Sequence, residues 1–131
     1  MVEMELFEIR IDETSNEQVI ILKEKDGGRL LPIVIGMFEA QSIHVKINDV
    51  QLPRPLTHDL LANVITQLGA TLTRIVVNDL EDNTFYARLH LQTDSGEADV
   101  DSRPSDAIAL ALRVDAPIFC EEHVLTKLTE G

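Results

Sequence analysis

Val100-Asp101-Ser102-Arg103-Pro104-Ser105-Asp106-Ala107-Ile108-Ala109-Leu110-Ala111-Leu112-Arg113 is the least ambiguous helical segment of the chain. Pro104 suits a first helical turn because its φ is already helical, Ser102 or Arg103 stands at the cap, and Asp106 complements the positive helix end. From Ala107 to Val114 the chain is apolar on every face except at Arg113, the pattern of a buried helix with a favourable cation in its last turn. The spacing predicts a helix over 104–114. On one reading this is a well-capped core helix. On another, Asp101 and Asp106 can hold a metal ion or accept a proton, and Arg103 can take a phosphate in bidentate fashion at the helix mouth.

The chain has 131 residues, 44% of them apolar, enough for one domain, 1–131, with a core of its own. A single cysteine leaves no internal disulfide, and there is no secretory leader pattern and no run of about 18 apolar residues. A soluble, cytoplasmic protein without a membrane partner is expected. The net charge of -12, from 23 acids against 11 Lys and Arg, repels nucleic-acid phosphate unless basic residues gather locally or cations intervene. A general basic nucleic-acid platform is therefore excluded.

Strands are predicted at 1–11, 18–25 and 29–35, where Pro32 requires an edge position or a bulge. A helix over 36–47 follows. The connector 48–55 holds two prolines, and a helix over 57–68 is expected with Thr57 as cap, Leu56 and Leu61 as a hydrophobic staple, and Gly69 as its stop. Strands at 72–77, 85–92 and 97–101 feed the helix at 104. Strand, strand, strand, helix thus occurs twice, with Glu39-Ala40 matching Asp106-Ala107 at an offset of 67 residues, Lys46 meeting Arg113, and a shorter helix after each unit, the second near Glu121. The expected fold is α+β, mainly antiparallel sheet packed by helices, with an internal duplication. The apolar helix at 107–112 needs covering on all sides, for which a second subunit is one means, and so a homo-oligomer.

Several side chains have the right chemistry for a site. Tyr86, Arg88 and His90 share one face of their strand, and Asp99 and Asp101 share the same face of its hairpin partner. A four-residue loop sets His90 opposite Asp99 and Arg88 opposite Asp101, whereas a two-residue loop sets His90 against Asp101. Such a face offers a base, a cation site and a phosphate-binding arginine, or it is a wet sheet face with cross-strand ion pairs. His58-Asp59 is a second candidate, although adjacent helical residues do not face each other. Arg54 is a guanidinium for substrate or for a surface acid, and Glu39 a functional acid or a dipole partner. Cys120, in Ile118-Phe119-Cys120, reads as a core residue rather than a nucleophile. No Ser-His-Asp elbow, P-loop, Rossmann glycine pattern or zinc spacing is present.

Ile35-Gly36-Met37-Phe38-Glu39-Ala40, Arg54-Pro55-Leu56-Thr57-His58-Asp59-Leu60 and Asp101-Ser102-Arg103-Pro104-Ser105-Asp106-Ala107 together resemble the bifunctional nuclease domain family, along almost the whole chain. The resemblance implies a compact α+β fold and cleavage of both DNA and RNA. Under that expectation His58, Asp59, Asp101 and Asp106 are the catalytic candidates. Arg54, Arg103, Ser105, Arg88 and His90 are the substrate contacts, and Asp101, Asp106 and Glu39 are ligands for Mg²⁺ or Mn²⁺. Glu39, His58, Asp101, Arg103 and Asp106 should then converge. The rival is a non-catalytic module holding an anionic ligand or a protein partner in the same polar pocket, favoured by the acidic surface and by aromatic content of only 4%.

Overall fold

The computed structural model describes residues 1–130. It is an α+β domain in which one seven-stranded mixed sheet carries four helices. The strands are β1 (Val2–Arg10), β2 (Gln18–Glu24), β3 (Leu30–Ile35), β4 (Thr71–Glu81), β5 (Thr84–Thr93), β6 (Gly96–Ser102) and β7 (Ile118–Cys120). The helices are α1 (Met37–Ile47), α2 (Thr57–Gln67), α3 (Pro104–Val114) and α4 (Glu122–Glu130). Across the sheet the order is β3-β2-β1-β7-β4-β5-β6. Each predicted three-strand unit is an antiparallel meander followed by a helix. The short strand β7 joins them, antiparallel to β1 and parallel to β4. The repetition is one of arrangement.

β7 has no counterpart among the expected strands, because a three-residue apolar run cannot announce its own pairing. Pro32 lies on β3, the outermost strand, where its missing donor leaves no inner ladder unpaired. Two expectations about α2 are corrected. Its cap is Leu56 rather than Thr57, since the Leu56 N–H is taken by the Asp59 carboxylate at 2.9 Å, and with Leu56 at the cap there is no staple outside it. Gly69, at φ +78°, turns the chain after the helix as expected.

α3 is the central helix. Ala107, Ile108, Ala109, Leu110 and Ala111 are all fully buried, because α1 and α2 flank the helix while β4 and β5 lie beneath it. The chain itself therefore supplies the covering for which a second subunit was one means. Ile20, Leu22, Leu31, Ile43, Ile75, Val77 and Leu125 complete one continuous core. Cys120 is fully buried, and burial pushes its thiol up to about 12, which fits a core residue and not a nucleophile.

Candidate functional site

Three helix ends meet at one cleft. Pro104 opens α3 with Arg103 as its cap, Gly36 opens α1, and Leu56 opens α2, so Asp106, Glu39 and His58 all sit in first turns. The cleft has a volume of about 580 Å³, and Glu39, Ser42, His58, Arg103 and Asp106 are among the residues that line it. Such a volume is within the usual range for a small-ligand pocket.

His58 is only 8% exposed and is held at both ring nitrogens. Nε2 lies 2.8 Å from Asp106 Oδ1, and Nδ1 lies 2.7 Å from Ser42 Oγ. An ionised carboxylate only accepts, so the chemistry assigns the ring hydrogen to Nε2 and leaves Nδ1 to accept from the Ser42 hydroxyl. Burial pushes the Asp106 carboxyl up, but hydrogen bonds from His58 and Arg103 outweigh it and hold the group below the usual carboxylate range. Asp106 is therefore an anion that fixes the tautomer.

Arg103 closes the cleft. Its Nε donates to Asp106 Oδ2 at 3.0 Å, and its Nη2 reaches Glu39 Oε1 at 2.7 Å. Hydrogen bonding to Asp106, the nearby charge and the bond to Glu39 raise its own pKa further. Its side chain is 67% exposed, and Nη1 has no partner among the described residues, so a donor edge faces the solvent at the cleft mouth. The two acids that match at an offset of 67 residues, Glu39 and Asp106, thus meet at one guanidinium.

A second arginine locks the helices from behind. Arg113 donates from Nε to Asp59 Oδ1 at 2.7 Å, from Nη1 to Ala109 O at 2.9 Å and from Nη2 to Ser42 O at 3.2 Å. Burial raises the Asp59 carboxyl, yet the Leu56 N–H and Arg113 bring it below its ordinary value. Asp59 thus ties the α2 cap to α3, with one oxygen on each.

Glu39, His58, Arg103 and Asp106 converge as expected, and Asp101 does not join them. It is exposed on β6, opposite Arg88 on β5, and is not among the cleft residues. Arg88 and His90 lie on that same outer sheet face. His90 pairs with Asp99 in the four-residue-loop register, Nδ1 to Oδ1 at 2.9 Å. Ser105 is 6% exposed and lines a second hollow, which Arg103 also lines. Arg54 is exposed on the connector before α2 and lines a neighbouring hollow.

The donor set for a divalent ion fails on geometry. Glu39 and Asp106 already share the Arg103 guanidinium, Asp101 is elsewhere, and among the described residues no three His, Cys, Asp or Glu are grouped to hold a metal. The residues do not fit a protein-held Mg²⁺ or Mn²⁺. Ser42 and the cross-helix role of Arg113 were not among the sequence candidates. The signal for Ser42 is a small hydroxyl beside Ile43 on the buried side of α1, three residues after Glu39.

The molecule is thus an α+β domain in which a buried histidine is paired with a half-buried carboxylate, with a guanidinium at the rim. The bifunctional nuclease domain model matches residues 20–130, and the chain belongs to that family. It is 42% identical over 127 residues to an uncharacterized protein of Mycobacterium tuberculosis (strain ATCC 25618 / H37Rv), covering 97% of this chain and 76% of that relative. It is also similar to bifunctional nuclease 2 of Arabidopsis thaliana, 30% over 109 residues, covering 80% of this chain and 33% of that protein. Bifunctional nuclease 1 of Oryza sativa subsp. japonica is 25% identical over 120 residues, covering 88% and 36%. The chain thus spans about a third of the length of these plant nucleases.

Proposed function

We propose that this protein hydrolyses phosphodiester bonds of DNA and RNA, with His58 as the proton-transferring group and Arg103 as the phosphate contact. The observation that supports this reading most is the chain Ser42–His58–Asp106–Arg103 within one cleft. Nε2–H is committed to Asp106, so Nδ1 is the basic nitrogen and the Ser42 hydroxyl is the route to it. A water attacking phosphorus gives its proton to Ser42 Oγ as Ser42 passes its own to Nδ1, Asp106 stabilises the imidazolium that forms, and as the P–O bond to the leaving sugar oxygen breaks the proton on Nδ1 returns through Ser42 to that oxygen. Arg103, through its open Nη1 edge, meets the charge that develops on the phosphoryl oxygens.

The test is a nuclease assay on single- and double-stranded DNA and RNA, in Mg²⁺, Mn²⁺ and EDTA, beside Asp106→Ala purified identically. Wild-type cleavage with a loss of at least ten-fold in the variant is expected. Equal degradation by both samples would assign the activity to a contaminant. The rival reading, a non-catalytic module for an anionic ligand, draws on the net charge of -12. It gains if Asp106→Ala and wild type are both inactive while an anion still protects the cleft.

A further inference from the structure

The cleft over His58 continues past it. Val45 and Leu52 line the cleft and also line a hollow of about 330 Å³ between the end of α1 and the 49–55 connector. Together they form one groove along α1. Its charges are sorted. At the His58 end one arginine, Arg103, faces two carboxylates, Glu39 and Asp106. At the far end Lys46, Arg54 and Arg113 face only Asp49 and Asp59. Arg113 is bonded to Asp59, and Asp49 accepts from Gln51 at 3.3 Å. That leaves Lys46 and Arg54, both exposed, without an ion pair among the described residues.

The wall of the groove is apolar and open to water. Phe38 lies on it with 84% of its surface exposed, and Leu52 with 45%. An aromatic ring left this far in water, with two free basic side chains further along the same groove, matches the stacking platform and electrostatic track by which proteins hold unpaired nucleotides. From Glu39 to Lys46 the helix rises about 10 Å, which spans roughly three steps of a stacked strand at about 3.4 Å each. A duplex carries one charge per about 1.7 Å, and a chain of net charge -12 with so few free cations meets it with far more repulsion.

We infer that the groove along α1 binds single-stranded nucleic acid in preference to duplex, with a base on Phe38 and a phosphate about three nucleotides further along the strand at Lys46 and Arg54. The identity of the ligand rests on the nuclease reading above, but its binding is measured separately from turnover. Fluorescence anisotropy with a labelled oligothymidylate of eight nucleotides and with a duplex of equal length supplies the test, in EDTA and again in Mg²⁺ before cleavage sets in. Tighter binding of the single strand is expected. Phe38→Ala should weaken it by about five- to 100-fold, Phe38→Trp should retain it, and Lys46→Ala should lower the slope of log K against log salt by about 0.7.

Equal affinity for the two forms would overturn the inference, as would no detectable binding of either at low salt. Phe38→Ala or Lys46→Ala behaving as wild type would overturn it too. Phe38 is almost wholly outside the core, and its exchange leaves the fold intact. If the single strand binds as described but wild type cleaves nothing, the groove stands and the hydrolytic reading fails. If cleavage depends on Asp106 while Phe38 and Lys46 prove silent, the reverse holds.

Discussion

Two histidine–aspartate pairs in this molecule have nearly the same length and opposite surroundings. His58 Nε2 lies 2.8 Å from Asp106, with the side chains 10% and 32% exposed. His90 Nδ1 lies 2.9 Å from Asp99, with exposures of 23% and 55%. The first pair is walled by three helices, its ring held on the far side by Ser42 and its carboxylate by Arg103. The second lies across β5 and β6 at the edge of the sheet, where water competes for every bond. A short distance does not make a site. A fixed tautomer, a low-dielectric wall and a cation at the rim do.

The contrast should be widest in stability where charge is most buried. Arg113, whose side chain is 5% exposed, holds α3 to Asp59 and to the Ser42 carbonyl. Arg113→Ala should cost about 3 kcal/mol, since it strands a half-buried carboxylate. Arg88→Ala on the sheet face should stay within about 0.5 kcal/mol. Urea melts of both variants check this, and equal midpoints would erase the distinction.

A smaller effect is expected at the pairs themselves. Ser42→Ala leaves His58 Nδ1 without its donor and should cost about 1–2 kcal/mol, while Asp99→Ala should change stability by no more than about 0.5 kcal/mol. Thermal melts at neutral pH are the measurement. A larger loss from Asp99→Ala than from Ser42→Ala would reverse the ranking of the two regions.

The smallest effect is the pH dependence. Because the Asp106 carboxyl is held below its ordinary value in the fold, the stability it contributes is present above about pH 4 and is lost as pH falls through the lower folded value. Asp106→Asn should therefore be less stable than wild type at pH 6, with the gap closing toward pH 3. A gap that stays constant over that range would mean that the carboxylate charge has no part in the pair.

Much of this is legible in the sequence. Pro104 at a first turn, the period-2 alternation of 85–92 and the Gly69 stop are local signals, and local signals set helices and hairpins. Glu39 and Asp106 match in local sequence, both stand in first turns, and the two helix starts meet at one cleft. β7 was not legible, since its three residues become a strand only through β1 and β4. Asp101 lies away from the cleft for a related reason. Its closeness in sequence to Arg103 says nothing about the face of β6 from which it projects, and register puts it opposite Arg88. Ser42 and the Arg113–Asp59 bond arise from helix packing, which brings residues 16 and 54 positions apart into contact.

If the proposed function holds, the His58–Asp106 pair carries chemistry and the His90–Asp99 pair does not. Single-turnover cleavage of RNA and of single-stranded DNA by His58→Ala and His90→Ala, purified identically and shown to be folded, separates the two. His58→Ala should lose about 10²–10⁴-fold in rate, while His90→Ala should stay within two-fold or so of wild type, as expected for a wet surface pair. Equal rates for the two variants, or a larger loss from His90→Ala, would rule out His58 as the proton-transferring group.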